Sequence, residues 1–131
     1  MINNLQVICV IQARMDSQRL PRKVIADING KPAIVRMIER IQYSKYIDKI
    51  IVATGISKAN DALETTVKEN ILADIFRGDD HDVLSRYVEV SKKYKADIII
   101  RLTGDCPLID AEIVDNNVKL LIDKNADYAS N

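Results

Sequence analysis

The sequence predicts an α/β protein built on a parallel sheet. Two observations carry this. Short apolar runs rich in Ile and Val recur along the chain, and segments of helical period separate them. Size agrees: 131 residues suit a single domain, residues 1–131, able to bury about two thirds of its unfolded surface.

The first strand is expected at Val7–Ile11, a continuous apolar run of the kind buried on both faces. Further strands are expected at Lys49–Ala53, Asp74–Phe76 and Asp97–Leu102, and Tyr128–Ser130 is read as the start of a fifth. Pro32 suits a first helical turn, and Ile34, Val35, Ile38 and Ile41 then share one face. Asn60 or Asp61 is expected to cap a helix carrying Leu63 and Val67. Asp82 leads into an apolar stripe of Val83, Leu84, Tyr87, Val88 and Ser91, and Asp110 into Ile113, Val114, Val118 and Leu121. Tyr43, Tyr46, Tyr87 and Tyr94 are placed on helices as packing or surface residues.

Composition narrows the function classes. Lys+Arg and Asp+Glu are both 19, so no bulk charge favours nucleic acid or an anionic membrane. The run Val7–Ile11 is too short for a signal-peptide core or a membrane span. A cytoplasmic protein is expected, without nucleic-acid or membrane partners and with Cys9 and Cys106 as free thiols. His81 is the only histidine, and the four glycines form neither G-x-G nor a P-loop.

About twenty residues without helical period separate the first strand from Pro32, where such a loop usually has two to six. This loop carries Arg14, Arg19, Arg22 and Lys23. Beyond the carboxyl end of a parallel strand, where ligands bind, guanidinium groups and an ammonium suit phosphate oxygens. A merely solvated basic loop is the competing reading. Asp105 follows the fourth strand in Thr103-Gly104-Asp105-Cys106-Pro107. It suits either Mg²⁺ shared with phosphate or a turn cap, and Gly104 is read as permitting an unusual backbone conformation. Asp79–Asp82 reads as a helix N-terminus rather than a metal site, and Arg77 stands at a strand end.

The stretch from Ile11 to Lys23 resembles the nucleotide-binding signature of the cytidylyltransferases, or CMP-sugar synthetases, above all their spore-coat polysaccharide branch. Ile50–Thr54, Phe76–Gly78, Asp82–Tyr87 and Thr103–Asp110 extend the likeness in order. The resemblance implies a three-layer α/β/α Rossmann-like nucleotidyltransferase fold with a mainly parallel sheet. It also implies transfer of CMP from CTP to a hydroxyl of a sugar or sugar acid, with release of pyrophosphate. By position, Ala13 would meet the nucleotide through its backbone, and Arg14 and Lys23 would grip the triphosphate with Ser17 and Arg19 in support. Thr103 stands where relatives have a base-reading side chain, commonly Gln in the sialic-acid and Kdo enzymes, and Arg77 is placed near the base. Asp105 would hold Mg²⁺. Asp16 and Arg22 occupy positions where many relatives have glycine, so the Asp16 carboxylate must turn outward or help hold metal. Family members are usually longer. The expectation is therefore a nucleotide-binding domain that lacks the C-terminal part, with homodimerisation belonging to the full-length form. The alternative is a nucleotide- or phosphate-binding module without catalysis.

Overall fold

A computed structural model describes residues 1–70 and 72–131. Its main sheet has four parallel strands: β1 (Val7–Gln12), β4 (Lys49–Gly55), β5 (Asp74–Gly78) and β6 (Ile98–Thr103), in the order β5-β4-β1-β6. Two short strands, β2 (Asp27–Ile28) and β3 (Lys31–Pro32), form an antiparallel hairpin inside the long loop after β1. The helices are α1 (Ala33–Ile41), α2 (Asp61–Lys68), α3 (Val83–Tyr94) and α4 (Ala111–Asp123). The mainly parallel α/β fold expected from the sequence is therefore observed.

Central β1 explains the layering. Val7 to Ile11 are all fully buried, so both faces of the strand need a cover. Cys9 and Ile11, with Ile50 and Val52 of β4, pack against Ile34, Met37 and Ile38 of α1, Leu63 and Val67 of α2, and Val114 of α4. Ile8 and Val10, with Ile51 and Ala53, face Val90 of α3 and the half-buried Tyr87. One layer thus holds three helices and the other only α3.

Several elements differ from those expected. Tyr128–Ser130 forms no strand, and Tyr128 is exposed. Pro32 is not in the first helical turn: its ψ of 144° is extended, and it pairs with Asp27 in the hairpin before α1 begins. Asn29 and Gly30 have φ of 50° and 94°, as the tight hairpin turn requires, so the Asn-Gly pair was the unread sign of this element. Tyr43 and Tyr46 lie beyond the end of α1.

The apolar stripe expected on α3 is only partly buried. Leu84 is 72% exposed and Val88 44%, whereas the buried residues of α3 are Arg86 and Val90. Arg86 sits 2% exposed because Nε and Nη2 donate to the carbonyls of Asp79 and Asp80 at 2.7 and 2.8 Å. Val83, Leu84, Tyr87 and Val88 instead line an open groove with Ile99 and Arg101 of β6. β6 is the last strand of the sheet, so part of the apolar face of α3 overhangs the sheet edge.

Burial separates two substitutions that periodicity alone would treat alike. Ile51→Ala, at a fully buried position, is expected to cost about 2–5 kcal/mol. Leu84→Ala should change stability by no more than about 0.5 kcal/mol. Urea unfolding of the two variants checks the difference; similar losses would place Leu84 in the core.

Candidate functional site

The parallel register brings strand ends together along one edge. Gln12 of β1 lies beside Ala53 of β4 and Thr103 of β6, while Thr54 lies beside Arg77 of β5. Ligands of open parallel sheets bind beyond this carboxyl edge.

The loop leaving β1 is fastened at several points. The Ala13 N–H donates to the Ala53 carbonyl at 3.1 Å. Met15 and Val24 are 4% and 3% exposed and sink into the core, which anchors both limbs of the loop. Between them the Arg22 N–H donates to the Met15 carbonyl at 2.9 Å, closing the tip, and a 3₁₀ turn, Lys23–Ile25, follows. Arg22 has φ 61°, the left-handed conformation that glycine adopts freely.

The loop leaving β6 approaches this one closely. The Gly104 N–H donates to the Gln12 carbonyl at 2.7 Å. A Cβ on Gly104 would stand 2.8 Å from the Ala13 Cβ and 3.3 Å from a Val24 methyl. What Gly104 supplies is space for this contact; its φ is not in the left-handed region, contrary to the unusual conformation expected.

The contact brings Lys23 to Asp105, with Nζ 3.5 Å from Oδ2. The Thr103 hydroxyl donates to Asp105 Oδ1 at 2.7 Å, and the Cys106 thiol lies 3.7 Å from the same oxygen. The Thr103 hydroxyl, then the residue's own backbone N–H and the half-exposed Lys23 ammonium, hold the Asp105 carboxyl below the usual range. The group is therefore an ionised carboxylate at the sheet edge. Its turn-cap reading gains no support, because Asp110 caps α4 by accepting from the N–H groups of Glu112 and Ile113. Among the described residues no three His, Cys, Asp or Glu side chains cluster as a metal cage. A single ionised carboxylate with an open face does fit Mg²⁺, which takes one or two carboxylates and fills its shell with phosphate oxygens and water.

The other expected site residues are less closely gathered. Arg14 is exposed at the base of the loop and only loosely paired, Nε lying 3.8 Å from Asp16 Oδ1. Asp16 is 67% exposed and so turns outward. Ser17 is buried within the loop, and Arg19 is exposed at its tip. The backbone N–H of Ala13 is already engaged by Ala53, which leaves its carbonyl as the group that can face a ligand.

Arg77 is not brought to this pair. Its Nε donates to the Gly55 carbonyl at 3.0 Å and Nη2 to the Ser57 carbonyl at 2.7 Å. Nη1 meets Asp61 and Glu64 of α2 at 2.7 and 2.6 Å. These acids raise the guanidinium pKa further, and Lys68, then Arg77, lower that of Glu64. Arg77 is thus a structural tie between β5, the end of β4 and α2. Asp79 accepts from the N–H groups of His81 and Asp82, and Asp82 from Ser85, as the helix-start reading requires. Both thiols are free: burial pushes Cys9 up to about 12, and Cys106 is exposed. Sequence reasoning missed Asn60, whose side chain accepts the Met15 N–H. No local pattern announces that contact across 45 residues.

A parallel α/β sheet with a basic loop and an acidic loop meeting at its carboxyl edge defines a Rossmann-like protein of the open-sheet class. Comparison with known proteins narrows this: the cytidylyltransferase family model matches residues 8–131, and the chain belongs to that family. It is 35% identical over 127 residues to the spore coat polysaccharide biosynthesis protein SpsF of Bacillus subtilis, covering 93% of this chain and 52% of that protein. A cytidylyltransferase structure from Leptospira borgpetersenii superposes with a TM-score of 0.85 at 40% identity, covering 90% of this chain and 49% of that one. The structure of a CMP:2-keto-3-deoxy-manno-octonic acid synthetase complexed with CTP gives 0.82 at 33%, covering 92% and 49%. The chain spans about half the length of the curated relatives it matches. Among the described residues no helix is long and apolar enough to cross a membrane.

The Thr103–Asp105 hydrogen bond has a pH consequence. A carboxyl held low in the folded state stabilises the fold above its unfolded pKa, and that contribution is lost as pH falls through the folded value. Thr103→Val removes the largest cause and should move the Asp105 midpoint upward, so less stability is lost on acidification and the loss is complete at a higher pH. An NMR titration of the Asp105 side-chain carboxyl reads this directly; an unmoved midpoint would mean that the hydroxyl does not hold the carboxylate.

Proposed function

We propose that this chain carries the nucleotide-binding half of a cytoplasmic, Mg²⁺-dependent cytidylyltransferase acting in surface or spore-coat polysaccharide biosynthesis. Its substrates would be CTP and a sugar or sugar acid. The observation that carries the reading is the meeting of Lys23 and Asp105 across two loops at the sheet edge. The named relatives supply the nucleotide and acceptor class.

In this reaction the sugar hydroxyl attacks the α-phosphorus in line. A new phosphorus–oxygen bond forms as the bond to the β-phosphate breaks, pyrophosphate leaves and the hydroxyl proton is released. Such transfers depend mainly on positioning and on neutralising developing charge. Lys23, fixed beside Asp105, meets the triphosphate as a point charge, and exposed Arg14 can close on it bidentately because its pairing with Asp16 is loose. Ser17 and Arg19 support the loop and its outer phosphates. Asp105 would hold Mg²⁺, which when bound supplies charge neutralisation at the phosphates. The Thr103 hydroxyl lowers the pKa of that carboxyl further, and by the resemblance Thr103 stands where relatives carry a base-reading side chain.

Thermal-shift titration with CTP, UTP, ATP and GTP, with and without Mg²⁺, tests the reading. CTP at about a hundred times its dissociation constant should add roughly 2.7 kcal/mol of stability, and the other nucleotides less. Lys23→Ala should weaken CTP binding by about 1–3 kcal/mol, and Asp105→Asn should abolish the Mg²⁺ dependence. No response to CTP, or indifference to both substitutions, contradicts the proposal.

A further inference from the structure

Asn60 stands directly before α2, where its type usually caps a helix, yet its side chain makes no cap bond. It is 3% exposed, deep for an amide. Its Oδ1 accepts the Met15 N–H at 3.0 Å, and its Nδ2 donates to the Gly55 carbonyl at 3.4 Å. The amide orientation follows from these partners, since an N–H needs an acceptor and a carbonyl a donor.

The first contact lies in the basic loop and the second at the end of β4. Met15 follows Arg14, and its carbonyl accepts from the Arg22 N–H, next to Lys23. A single buried amide therefore holds the point where the two limbs of the loop close. The Gly55 carbonyl is shared with Arg77, which also fixes Ser57. Arg77 thus fixes the segment from which Asn60 reaches out.

We infer that Asn60 is a positioning residue for the nucleotide loop, and that the Arg77 network sets Asn60 in place. The tether holds Arg14 and Lys23 at one spacing before any ligand arrives, so binding does not have to order the loop. This rests on the proposed nucleotide reading for its purpose, while the loop ordering itself is independent of any ligand.

Asn60→Ser tests it. Serine is a good N-cap, so α2 keeps its start, but the shorter side chain gives up the reach to Met15. Amide hydrogen exchange at Met15 should speed up at least about tenfold, and CTP affinity should fall by about tenfold, the loss expected for one hydrogen bond. Asn60→Asp keeps the acceptor and should restore Met15 protection. Val67→Ala, a buried change at the end of α2 opposite Asn60, should lower the melting temperature and leave CTP affinity within about twofold. The inference fails if Asn60→Ser leaves Met15 exchange unchanged, or if Val67→Ala weakens CTP as much. It also fails if the serine variant binds CTP as wild type does. A wild-type chain that does not bind CTP overturns the nucleotide reading instead, and Met15 exchange still decides whether Asn60 orders the loop.

Discussion

The site depends on one close backbone approach. The Gly104 N–H reaches the Gln12 carbonyl at 2.7 Å, and a Cβ at Gly104 would overlap Ala13. There the loops leaving β1 and β6 meet, and the approach sets Lys23 against Asp105. The rest of the fold serves it. The parallel register puts both strand ends level, and the buried apolar run of β1 keeps them adjacent. Met15 and Val24 anchor the basic loop by burial. A hydrogen bond to a carbonyl and two apolar anchors are inexpensive devices, yet they fix a cation and an anion that come from opposite ends of the sequence.

Much of this was legible in the residues. The apolar runs marked all four strands of the main sheet, because a strand buried on both faces must be apolar throughout. The excess length of the loop after β1 pointed to the site before any motif did. Lys23 and Asp105 could be named separately, since each follows a strand that a parallel sheet sets beside its neighbour. Their pairing through Gly104 could not, because a demand for space leaves no periodic trace. The partners of Arg77 were hidden for a similar reason: its acids on α2 lie 16 and 13 residues earlier, and a cation at a strand end looks the same whether it faces solvent or a helix. Asn60 looked like a cap because local sequence favours the local explanation.

The apolar stripe of α3 shows another limit of pattern reading. Val83, Leu84, Tyr87 and Val88 do share a face, as their spacing requires, but periodicity reports a face and not what covers it. The sheet ends at β6, so this part of the helix lies open, while Arg86 takes a buried place no pattern would have given it. Two carbonyls of the loop after β5 make that arginine affordable by accepting from it.

The central claim is that the two loops form one nucleotide site. An NMR titration of amide chemical shifts with CTP and Mg²⁺ tests it most directly. Perturbations should gather at Ala13–Lys23 and Thr103–Cys106 together, with the same saturation curve. Shifts in one loop alone, or shifts centred on the α3 groove, would contradict it.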